Sequence, residues 1–229
     1  MKLSKVLNIV SISLFAAALV LGGVSLNRWI QKERVLRQII ARLTAETRLA
    51  DVLVTKSEYD EATKRIRTTI KFLEYDAQGK ALPPKYFTFS GNIIQFQSLV
   101  IRFQDKLVEA GDRLRGKSIA LFMKAFVLDG PETREFEITS MKEVPAGYRI
   151  QKNVNAYEAK FWEEFWQYAL DPKKRDLAGV KNAQIEAPGS MFLPGTIYTL
   201  VIEHDGGIRI DAQPVPEIVK GERLEMAKP

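Results

Sequence analysis

The chain holds one histidine, His204, next to Asp205-Gly206-Gly207 and seven residues before Asp211. Any Ser-His-Asp mechanism would have to use it. A residue at the mouth of a hairpin turn is normally exposed and unassisted, however, and a general base must first be held by geometry. His204 is therefore expected to do no catalysis. There is no cysteine, which excludes disulfides, thiolate nucleophiles, thiolate metal sites and a lipid-modified cysteine.

Two other groupings carry charge that could do chemistry. The stretch EAGDRLRGK gathers Gly111, Arg113, Arg115, Gly116 and Lys117, residue types that can cradle a phosphate. Its spacing is neither a Walker A nor a dinucleotide fingerprint and no helix start follows it, so it reads as a strand-connecting loop. Glu163 and Glu164 are adjacent on a helical stretch and point in different directions. The expectation is a protein with no catalytic site, no cofactor and no metal.

The net charge of +6 would suggest a nucleic-acid partner if it were spread over the chain. It is not. Residues 1–50 hold eight basic residues (Lys2, Lys5, Arg28, Lys32, Arg34, Arg37, Arg42, Arg48) against Glu33 and Glu46, which is already +6; the remainder has 34 − 8 = 26 basic and 28 − 2 = 26 acidic residues. A neutral domain lacks the footprint needed to neutralise phosphates, so no nucleic acid is expected.

The elements that must position everything else begin with an uncharged run of 22 residues, Val6 to Asn27. As a helix it would extend about 33 Å, enough to cross a bilayer core of about 30 Å. Residues 1–26 read as a single-pass membrane anchor, with Leu7, Ile9, Leu14, Phe15, Leu19 and Leu21 facing lipid and Trp29 at the interface. Gly23-Val24-Ser25 offers a small-x-small cleavage site, but the apolar run is long for a signal peptide. Lys2 and Lys5 form the charged leader of an exported protein, whereas Arg28, Lys32, Arg34, Arg37 and Arg42 after the span favour the opposite orientation. Long domains translocate largely regardless of charge, so the expected location is the cell membrane with an extracytoplasmic domain; the cytoplasmic orientation stays open.

Residues 27–50 contain no Gly or Pro, and many are helix formers. They predict a basic juxtamembrane helix whose Arg28, Lys32, Arg34, Arg37 and Arg42 contact lipid headgroups. Small residues four apart in the span, and Leu36, Ile39 or Ile40 and Leu43 after it, would also allow homo-oligomer pairing through residues 13–50.

From residue 51 the periodicity shifts towards two. ADVLVTKS, RIRTTIKFLEY, KYFTFSGNIIQFQSLVIRF, KSIALFMKAFVLD and REFEITSM predict five or six strands joined by hairpin-like turns, the long third run bending or breaking at Gly91. KSIALFMKAFVLD is apolar on both alternate sets: Ile119, Leu121, Met123, Ala125 and Val127 on one, Ala120, Phe122 and Phe126 on the other. That marks a central strand covered on both faces. The stretch NAYEAKFWEEFWQYALD predicts a helix capped by Asn155 and Glu158 and ended by Asp171-Pro172. Its aromatic stripes, Tyr157, Phe161 and Phe165 beside Trp162 and Trp166, suit the lid of the sheet. GTIYTLVIEHDGGIRIDAQP predicts a last hairpin turning at Asp205-Gly206-Gly207.

The expected fold class is α+β: a transmembrane helix continuing into a basic helix, a mainly antiparallel β domain over 51–213 covered by one aromatic-rich helix, and a flexible tail over 214–229. The expected role is a non-enzymatic structural or assembly component of a cell-envelope complex, whose domain contacts other envelope proteins. The alternative is an extracytoplasmic ligand-binding or sensing module with a pocket at Phe161, Trp162, Phe165 and Trp166, with Tyr168 beside them.

Overall fold

The structure, a computed structural model, describes residues 14–27, 30, 47–76, 79–103, 118–129, 132–149, 154, 156–171, 173, 180–203 and 206–216. The chain divides into two compact units, Met1–Gln38 and Ile39–Pro229.

In the first unit, residues 14–27 form helix α1. At 1.5 Å per residue the described part is about 21 Å long, against a bilayer core of about 30 Å. Among the described residues no helix is long and apolar enough to cross a membrane. The expected span began at Val6, and its residues before 14, Leu7 and Ile9 included, lie outside the described part of the chain.

The second unit is mainly antiparallel β-sheet with few helices. Strands β1 (Thr47–Asp60), β2 (Arg65–Glu74), β3 (Lys85–Ser90), β9 (Thr196–Ile202) and β10 (Ile208–Pro214) form one five-stranded sheet in the order β10-β9-β1-β2-β3. Strands β4 (Ile93–Phe103), β5 (Ser118–Asp129), β6 (Glu132–Glu137) and β7 (Val180–Glu186) form a second in the order β6-β5-β4-β7, and the short β8 (Gly189–Met191) pairs with β4.

The two sheets face one another across a core of aromatic rings. Phe72 of β2 stacks on Phe96 of β4 at 5.2 Å and meets Phe122 of β5 edge-on at the same distance. Phe87 of β3 meets Phe136 of β6 at 5.2 Å, and Phe192 meets Tyr198 of β9 at 4.5 Å. Offset and edge-on ring pairs add roughly 0.5 to 1.5 kcal/mol each beyond their burial. The expectation of a single sheet under a helical lid therefore changes: the cover on one face of β5 is another sheet.

The long run through Gly91 is broken in the way its glycine allows. Gly91 has φ +84°, which L-residues with a side chain rarely adopt. Strand β3 ends one residue before it and β4 begins two residues after it, in the other sheet. The turn is an arch across the sandwich; the Thr68 hydroxyl donates to the Gly91 carbonyl to fix it.

Two further corrections concern register. In β5 the pairing with β4 slips between Gln97 and Ser98, leaving Met123 as an extra residue. Such a bulge reverses the alternation. Ala125 and Val127 therefore share the inter-sheet core with Ala120 and Phe122, while Ile119 and Leu121 are buried outside that core. The predicted helix over 27–50 also stops short: Thr47 to Ala50 are strand, paired with β9 by way of a bulge that lets the consecutive residues Leu49 and Ala50 both enter the core. Sheet pairing here overrides the helix propensity of the sequence TRLA.

At the other terminus, Pro214 still belongs to β10 and the Val215 amide donates to the Gly195 carbonyl, so the ordered chain runs past the predicted tail boundary. Residues 217–229 lie outside the described residues. Helix α2 (Ala156–Leu170) ends just before Asp171, as expected, and contacts β7. Before it, Ala146–Tyr148 makes one 3-10 turn.

Candidate functional site

The sequence candidates fall into three groups. Trp162, Phe165 and Trp166 are all buried on α2. Trp162 meets Phe165 at 5.0 Å and Tyr148 at 5.7 Å, and the Trp166 indole N–H donates to the Glu143 carbonyl at 3.0 Å. The side chains of Phe161 and Tyr168 lie outside the described residues. Glu158, expected at the capped start of α2, is fully buried in its first turn, where the positive end of the helix dipole favours a carboxylate. Its expected partner Asn155 is not among the described residues.

The second group is the lipid-facing set. Leu14, Phe15, Leu19 and Leu21 on α1 are 61% to 68% exposed. Leu7, Ile9, Arg28, Trp29, Lys32, Arg34, Arg37 and Arg42 lie outside the described residues. The third group is the weak chemical set. His204 and the loop with Gly111, Arg113, Arg115, Gly116 and Lys117 also lie outside, so the structure places none of them. Among the described residues no group of three or more His, Cys, Asp or Glu could hold a metal ion.

Two polar clusters emerge that the sequence did not single out, both near the end of the sandwich where β1 begins. On the outer face of the first sheet, Asp51 sits between Leu73 of β2 and Thr199 of β9. Its carboxylate accepts from the Tyr75 hydroxyl at 2.6 Å, from the Thr199 hydroxyl at 2.9 Å and from the Arg48 guanidinium at 2.8 Å, while that guanidinium lies 4.8 Å over the Tyr75 ring. The carboxylate is only 13% exposed, and three donors compensate the water it has lost. This network is a clasp across three strands.

The other cluster is inward. Strand β2 buries Thr68, Ile70 and Phe72 on its core side, and the next position of that alternation is Glu74. Beside it on β3, Lys85 occupies the position paired with Phe72; its ammonium donates to the Ile138 carbonyl. Burial pushes the Glu74 carboxyl up to about 7, with the Lys85 charge pulling the other way. The Tyr148 phenol is also pushed up, first by burial and further by Glu74, although its hydroxyl donates to the Ala120 carbonyl at 3.2 Å. The signal for Glu74 was present in RTTIKFLE as a charge at the apolar phase of an alternating strand.

At the opposite end, where β1 meets β2 and β3 meets β4, apolar cross-strand pairs are exposed among charged neighbours such as Glu58, Arg65 and Arg67. Tyr59 and Ile66 are cross-strand partners, 59% and 44% exposed, and Ile93 and Met191 are partners at 52% and 50%. Leu193 is exposed beside them. The turn below is polar: the Asp60 carboxylate accepts from the amides of Ala62 and Thr63, which holds it below the usual carboxylate range.

No family model matches the chain, and neither a curated protein nor a solved structure matches it.

Proposed function

We propose that the protein is a membrane-anchored, non-enzymatic structural or assembly component of a cell-envelope complex, whose β-sandwich acts through contacts with other envelope proteins. The observation that carries this reading is α1. Leu14, Phe15, Leu19, Val20 and Leu21 are exposed on a helix without a charged residue. Apolar surface left in water costs about 25 cal/mol per Å², and hydrocarbon relieves that cost. In this reading the helix starts before residue 14, Trp29 sits at the interface, and Arg28, Lys32, Arg34, Arg37 and Arg42 face anionic headgroups. The domain lies outside the cytoplasm.

Exposed apolar pairs at the far end of the sandwich support the contact role, since such residues collected in one region suit a protein partner. The aromatic helix supports it differently: Trp162, Phe165 and Trp166 are packed away, which suits a cover for the second sheet rather than a ligand cage.

Alkaline carbonate washing of membranes tests the anchor, and site-specific cross-linking from residues 59, 66, 93 and 191 tests the contact. The full chain should stay in the pellet, and a chain lacking residues 1–30 should leave it. Release of the full chain would end the anchor reading, and recovery of cross-linker-free monomer alone would end the assembly reading.

A further inference from the structure

Glu74 stands half-buried at the core-facing phase of β2. On β1 it is paired with Ala50, which is fully buried. The turn Ala146–Tyr148 lies directly on it: a Cβ at Gly147 would stand 3.4 Å from the Glu74 Oε1 and 3.2 Å from the Tyr75 carbonyl oxygen. A side chain at Gly147 would sit tightly against the Tyr75 carbonyl, so glycine eases this close approach. The same turn carries Tyr148, whose ring contacts Trp162 of α2 and whose hydroxyl reaches β5. One turn thus joins an inward carboxyl of the first sheet to the aromatic helix.

The groups facing this carboxyl are few. From β3 comes Lys85, its ammonium engaged with the Ile138 carbonyl; from the turn comes Tyr148, and from β1 the uncharged Ala50. Within its own segment, Tyr75 is bonded to Asp51, and the Asp76 carboxylate accepts from the Lys80 amide. Among the described residues no hydrogen bond reaches the Glu74 carboxyl. The residue is half-buried, so an ionised carboxylate there loses part of its water without gaining donors, whereas a neutral carboxyl suffers little.

We infer that Glu74 is a proton-dependent clasp, which in its neutral form holds the Ala146–Tyr148 turn, and through it α2, against the sandwich, and in its ionised form loosens that turn. The carboxyl value of about 7 fits this geometry and fixes the direction. A carboxyl raised from 4.5 on closing stabilises the closed state fully below 4.5, and that stabilisation is lost as pH rises through about 7. With those two values, the equilibrium for opening grows about tenfold between pH 6 and pH 8. The device therefore responds to pH close to neutrality.

The test uses the full chain in detergent micelles. Carbon-13 NMR of the glutamate carboxyls should show one resonance, assigned by its loss in Glu74→Gln, titrating near 7. Hydrogen exchange at residues 146–148, corrected for the intrinsic effect of pH, should reveal about tenfold more opening at pH 8 than at pH 6, and Glu74→Gln should abolish that difference. A Glu74 resonance titrating in the ordinary carboxylate range would overturn the proposal. So would equal protection of the turn at both pH values in the unaltered protein, a measurement that stands even if the variant fails to fold.

Discussion

The two ends of the sandwich are finished in opposite ways. Where β1 begins, a carboxylate with three donors binds three strands together on the outside, and a second, half-buried carboxyl lies beneath a glycine turn on the inside. Where β1 and β2 turn, the cross-strand pairs Tyr59–Ile66 and Ile93–Met191 are left half in water. Asp51, drawn partly out of water, is paired in place, so the outer face of the first end is committed to its own structure. Apolar groups left in water lose free energy that only a later contact returns, so the second end is committed to nothing within its own fold.

Between them, Phe72 supplies the reference against which either end is measured. Its ring touches Phe87, Phe96 and Phe122 and so bridges both sheets. Phe72→Ala should cost about 3 to 5 kcal/mol, the largest loss expected here, read from the denaturant midpoint. A loss below about 1 kcal/mol would show that the ring cluster is not the spine of the fold.

Asp51→Ala comes next and tests the finished end. It strands the hydroxyls of Tyr75 and Thr199 and the Arg48 guanidinium around a vanished acceptor. A loss of about 2 kcal/mol is expected, since removing one partner of a partly buried network costs more than the bonds were worth. The exposed ion group at the edge of the same sheet, in which Arg209 donates to Glu203 and Asp211, offers the control. Arg209→Ala should change stability by less than about 1 kcal/mol, because exposed pairs are screened and entropically costly. Equal losses at the two positions would erase the distinction between a clasp and a surface pair.

Much of this was legible in the chain. Alternation located β1 to β6, Asp205-Gly206-Gly207 located the last hairpin, and Gly91 located the break between β3 and β4. What alternation does not contain is which sheet a strand joins, because both sheets have the same pattern of inward side chains. The bulge at Met123 was hidden for a related reason: KSIALFMKAFVLD is apolar in both phases, so a slip of one residue leaves no trace in its composition. Strands β7 and β8 were missed outright. VKNAQIE at an exposed sheet edge has little apolar content to alternate, and β8 has three residues. The Asp51 clasp needed partners 24 and 148 positions away, a distance no local spacing reports.

Ser98 sharpens the comparison from inside the core. It is fully buried at the β4–β5 bulge, and its hydroxyl has no hydrogen-bond partner among the described residues. Here a polar group is withdrawn from water without the pairing that Asp51 enjoys. Ser98→Ala removes the uncompensated hydroxyl at nearly constant shape, and it should raise stability by up to about 1 kcal/mol. A loss of stability would mean that the hydroxyl is bonded after all.

The smallest effect on folding is expected at the unfinished end, and its smallness is the argument. In the double variant Ile93→Ser, Met191→Ser, two facing side chains that are already half in water become polar. Little buried area is given up, so the denaturant midpoint should move by no more than about 0.5 kcal/mol. If the end is an interface, cross-linking from positions 59 and 66 to a partner should fall sharply in the same variant, because the apolar anchors of a contact carry a disproportionate share of its energy. A large stability loss would place these residues in the core of this fold. Unchanged stability with unchanged cross-linking would move the contact surface elsewhere, leaving the two ends different in finish but not in use.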